Sequence, residues 1–147
     1  MPLLPALPPE AAFDTANAFA LAGWLALAAS PPGRRWTGAV WQLTGWVMPL
    51  LLAVAYVVLL LGHPGAGGFG SLAGVRQLFE QPGLLAAGWL HYLAFDLFVG
   101  TWIARQAAER GIRHRWVLPC LLLTFLLGPA GLLAFAALTL LHERISR

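Results

Sequence analysis

Apolar residues run through this chain in four long stretches, separated by short segments rich in Pro, Gly and Arg. They fall at Phe13–Ala29, Val40–Leu61, Leu84–Ala104 and Trp116–Leu141. Each is near the ~20 residues an α-helix needs to cross ~30 Å of hydrocarbon. The pattern predicts an all-α fold: an integral membrane four-helix transmembrane bundle in which residues 1–147 form a single transmembrane domain. The proline-rich opening MPLLPALPPE is expected to be irregular. Ser30-Pro31-Pro32-Gly33 ends the first helix, because Pro cannot continue the hydrogen-bond ladder and Gly favours turns. After the Gly-rich segment 62–68, Leu72, Val75, Leu78 and Phe79 recur at helical spacing beside Arg76, Gln77 and Glu80. This spacing predicts a short interfacial helix between helices 2 and 3, lying along the membrane surface.

Composition agrees with burial in lipid. Hydrophobic residues make up 59% of the chain and charged ones 10%, with a mean hydropathy of +0.73. A soluble domain of this length leaves too much of its surface wet to hide that much apolar area. Glu10 and Asp14 stand where a secretory leader would carry Lys or Arg, so the first run is expected to be a retained helix.

The net charge of +3 comes from arginine alone. Arg34 and Arg35 lie between helices 1 and 2, and Arg105, Arg110, Arg113 and Arg115 surround the link between helices 3 and 4. Arg76, Arg144 and Arg147 are assigned to the other side, partly offset by Glu10, Glu80 and Glu143. Charge at helix ends speaks for topology rather than nucleic acid, and the positive-inside rule places both termini outside. Trp24, Trp36, Trp41, Trp102 and Trp116 crowd the same inner boundary. The lack of lysine beside abundant Ala, Gly and Leu suggests a GC-rich bacterium, hence an inner membrane and a lipid bilayer as partner.

Cys120 is the only cysteine, which excludes an intramolecular disulfide and a Cys-rich metal site. No two histidines stand at ligand spacing within a helix, so neither a metal nor a haem is expected and no cofactor is called for.

Pro49 and Pro129 lie inside the second and fourth runs, where each releases the carbonyl four residues earlier, those of Gly45 and Phe125. Cys120, Thr124, Gly128 and Gly131 fall on one stripe of helix 4. Such a stripe serves close helix packing, and it is also compatible with a kinked wall offering free carbonyls to a ligand.

Helix 3 carries the chemistry. Asp96 sits well inside an apolar helix, at a cost of about 2.5–3.5 kcal/mol at the helix centre on insertion scales. It must therefore face the bundle interior and have a partner, either across the bundle or in a ligand. His91 precedes it by five residues, and a carboxyl with an imidazole is the pair that acid–base catalysis uses. At ~100° and ~1.5 Å per residue, the two lie about 140° apart on the helix with ~7.5 Å of rise between them. They are placed to line opposite edges of a pocket, not to bond each other. His91 shares its stripe with Phe95, Phe98, Trp102 and Arg105, and Asp96 shares another with Trp89, Tyr92 and Gly100. Asp14 and Asn17 share a face near the outer end of helix 1, where a solvated helix start explains them.

From Ser71 onward the chain resembles the abscisic-acid-deficient-4-like family, whose plant members are the neoxanthin synthase proteins of plastid membranes. The resemblance is carried by Leu78-Phe79, Trp89, His91 and Asp96-Leu97-Phe98, then Gly111, His114, Pro119-Cys120-Leu121, Gly128-Pro129 and Gly131. Helices 1 and 2 match only as apolar spans. Phe95 and Gly100-Thr101-Trp102 read as a bacterial branch. For plant members the resemblance implies isomerisation of violaxanthin to neoxanthin, in which an epoxide opens to an alcohol while a neighbouring proton is lost to make an allene. Here it implies a cofactor-free isomerase for a carotenoid or other isoprenoid. Asp96 would protonate the oxygen and His91 take the proton, while Trp89, Phe95, Phe98, Trp102, His114, Thr124, Gly128 and Pro129 would line the substrate site. Two other classes stay open: a non-catalytic pigment- or lipid-binding or assembly protein, and a proton or ion pathway through a homo-oligomer.

Overall fold

The computed structural model describes residues 7–145 and is all-helical there, without strands. Most of the irregular opening expected from the sequence lies outside the described residues. Helix α1 covers Pro9–Ala28, with Pro9 in the first turn, where the missing N–H costs nothing. Helix α2 covers Thr37–Gly62, α3 Leu72–Phe79, α4 Pro82–Glu109, α5 His114–Leu127 and α6 Pro129–Ile145. Of these, α1, α2 and α4 are long and apolar enough to cross a membrane, which supports a membrane location. The interfacial segment forms the expected short helix, with the Ser71 hydroxyl accepting from the Gly74 N–H at 3.1 Å as its N-cap.

Helix α4 is the centre of the molecule and touches every other helix. Small residues let its neighbours approach. On α1, Ala12, Ala16, Ala20 and Gly23 are buried at helical spacing, and Gly23 meets Met48 and Leu97 so closely that a Cβ there would lie 3.1 Å from the Leu97 side chain. In turn, Gly100 on α4 receives the Trp24 indole, which a Cβ would overlap. Close approach through small residues is how helices associate where lipid removes the hydrophobic drive between them. The α4 helix also runs past its expected end, so Arg105 lies within it rather than in the following link.

Two prolines reshape the other expected spans. In α2 the turn before Pro49 widens: the N–H of Met48 reaches back five residues to the Leu43 carbonyl, making Leu43–Val47 a π turn. Pro49 has no N–H to hold the tighter repeat, which permits the widening.

The fourth run corrects the expected bundle more deeply, since it is not one helix. Gly128 ends α5 with φ +50° and ψ −102°, a conformation open to glycine, and Pro129 opens a new helix. The chain reverses there. Gly131 returns against Cys120 and Thr124, with no room for a Cβ beside the Thr124 backbone, and Phe135 meets Trp102 edge-on at 5.9 Å. Phe135 and Leu138 share a core cluster with Ile103, Ala107, Ile112 and Val117. The small-residue stripe of the sequence is therefore the inner face of a helical hairpin, not a straight kinked wall. In consequence α6 runs back along α5, with Phe135 at the level of Trp102 and Ile112. Architecturally, three long helices and a hairpin stand where four spans were expected.

Candidate functional site

The two chemistry-bearing residues of α4 point to different surroundings. His91 is exposed, packed at a tilt on Phe95 with ring centroids 4.7 Å apart, and faces Tyr56 of α2 at 5.7 Å. Asp96 turns instead to the α5–α6 break, where its carboxylate oxygens lie 3.0 and 3.3 Å from the position a Gly128 Cβ would take. Its Oδ2 is buried without a hydrogen-bond partner. The carboxylate thus fills the space left by glycine, next to the start of α6, where the helix dipole favours negative charge. These different surroundings are consistent with the separation of about 140° expected from helical geometry.

Phe95, on which His91 packs, lines a groove between α2 and α4. Two adjoining hollows of ≈ 240 and ≈ 200 Å³ share Gly45, Trp46 and Phe98. The outer one adds Phe95, with Pro49, Ala53 and Ala94, while the inner one adds Thr101, Trp102 and Arg105. Trp46 packs edge-on to Phe98 at 6.1 Å across the groove. The π turn places Trp46 on this wall, and beneath it the Thr101 hydroxyl donates to Thr44 at 2.8 Å, fixing α2 to α4. At the inner end the Arg105 guanidinium donates through Nη2 to the Trp41 carbonyl at 2.9 Å, and its Nε has no partner.

Of the residues expected to bind substrate, Phe95, Phe98 and Trp102 lie along this groove. The others do not join them. Trp89 is on the α1 side, donating from Nε1 to Asn17 Oδ1 at 2.9 Å, stacked on Tyr92 and tilted against Phe13. His114 Nε2 is 2.8 Å from the Ala28 carbonyl and pins the start of α5 to the end of α1. Thr124 is fully buried and donates to the Cys120 carbonyl at 2.8 Å. Gly128 and Pro129 form the reversal itself. Conversely, Trp46, Tyr56 and the inward role of Arg105 were missed from the sequence. The signal available for Trp46 was Pro49, three residues on, which disturbs the helix at that level.

The fold and this groove define a class: an all-helical protein of the membrane, with an aromatic-lined groove open on one side. The ABA DEFICIENT 4-like family matches residues 11–135. The chain belongs to that family. No curated protein and no solved structure shows significant similarity to it.

Proposed function

We propose that this protein holds a carotenoid or other isoprenoid in the α2–α4 groove and isomerises it without a cofactor. The observation that carries the reading is His91, which faces Tyr56 of α2 and packs on Phe95, itself a wall of an apolar slot with Phe98 and Trp46. An imidazole takes a proton from carbon and the facing phenol returns one to oxygen, so the exchange balances within a redox-neutral isomerisation. Asp96, on the other face, is assigned to the α5–α6 reversal rather than to substrate. The protein is placed in a bacterial inner membrane. Its arginine-rich side, with Arg34, Arg35, Arg110, Arg113, Arg115 and Arg144, faces the cytoplasm.

The test is the absorption spectrum of the purified protein and of its extracted lipid, followed by turnover of a panel of epoxycarotenoids. His91→Ala and Tyr56→Phe are expected to bind ligand and lose turnover by about 10²-fold or more, while Asp96→Asn retains it. Normal turnover by His91→Ala would sink the proposal. Ligand bound by the unaltered protein but never converted would favour a non-catalytic pigment- or lipid-binding role.

A further inference from the structure

Arg105 is an unusual group to find at the end of an apolar groove. Of the guanidinium donors only Nη2 has a protein acceptor, the Trp41 carbonyl. No acid pairs with it: among the described residues the single ion pair is Arg76–Glu80, far along the chain on α3. Glu109, one turn further on α4, accepts from Gln106 Nε2 at 2.7 Å instead, and Gln106 also accepts from Arg110. The charge of Arg105 is thus left uncompensated beside Trp46, Phe98 and Trp102.

We infer that the groove takes a single-chain isoprenoid ending in an acidic group, a phosphate or carboxylate, which sits on Arg105. This rests on the isoprenoid reading above and narrows its substrate class. A guanidinium presents a planar fork of donors that matches such an oxyanion. The chain then runs outward past Trp46 and Phe98 to His91, fourteen residues up α4, or about 21 Å at ~1.5 Å per residue. The floor of the slot is small, formed by Gly45, Ala53 and Ala94 between the aromatic walls. That shape suits one chain rather than the two of a bilayer phospholipid.

The experiment titrates the full chain in detergent with farnesyl phosphate, farnesol and inorganic phosphate, read by tryptophan fluorescence. Farnesyl phosphate is expected to bind at least tenfold more tightly than farnesol, with no binding of inorganic phosphate alone at the same concentrations. Arg105→Gln is expected to abolish the difference by lowering only the phosphate's affinity, and Trp46→Ala to weaken both isoprenoids. Should Arg105→Gln fail to fold, Arg105→Lys keeps the charge but loses the fork, and the advantage of the phosphate must shrink. Equal affinity for the alcohol and the phosphate overturns this inference and leaves the groove reading intact. Displacement of farnesyl phosphate by equimolar phosphatidylglycerol overturns both, since it would make the occupant a bilayer lipid. Failure of both isoprenoids to bind overturns the groove reading as well.

Discussion

Thr101 on α4 donates its hydroxyl hydrogen to Thr44 on α2 over 2.8 Å, where both side chains are fully buried. The Thr44 hydrogen goes to the Val40 carbonyl, so Thr44 is the acceptor of the pair. The bond lies under the groove and holds its two walls together. A double-mutant cycle with Thr44→Val and Thr101→Val is expected to give a coupling of about 0.6 kcal/mol, typical of hydrogen bonds between helices in a membrane. Unfolding in detergent measures it, and a coupling of zero would remove the bond from the account.

The reversal at Gly128 depends on Gly131 lying against the α5 backbone. Gly131→Ala forces the two helices apart, at about 1–3 kcal/mol as for other overpacked contacts. Gly128→Ala meets a left-handed backbone as well as Asp96, and should cost a similar amount. Thermal unfolding of both variants is the check, and an unchanged midpoint for Gly131→Ala would contradict the hairpin.

Sidedness offers a sharper test of the same feature. In a Cys120→Ser background, single cysteines replacing Arg113 and Arg144 should react with an impermeant thiol reagent from the same side of the membrane. One replacing Gly68 should react from the opposite side. Labelling of the Arg144 position together with Gly68 would restore a fourth complete span.

On the α1 face, Trp89 donates to Asn17 at 2.9 Å while stacking on Tyr92. Asn17→Ala frees the indole N–H and should cost roughly 0.6 kcal/mol. The tryptophan emission is expected to shift as Trp89 loses its partner, with ligand affinity of the α2–α4 groove unchanged.

Much of this was legible in the residue pattern, and the failures are instructive. The apolar runs locate α1, α2 and α4, because crossing a bilayer demands a length and a composition that few other segments share. Gly128-Pro129 was legible as an interruption but not as a reversal. Whether a broken helix bends or folds back depends on what receives it, here Cys120, Thr124 and the core around Phe135. The opposed directions of His91 and Asp96 follow from helical geometry alone. What they face does not: Tyr56 and Trp46 are contributed by α2, and only tertiary pairing selects them. Arg105 reads as a topology signal, because a basic residue at the end of an apolar run has that meaning in any sequence.

The hairpin also bears on how the chain enters its membrane. After Glu109 nothing polar need be translocated, since α5 and α6 both begin and end their excursion from the side already reached. The last third of the chain thus adds a helix pair packed against α4 rather than another complete crossing.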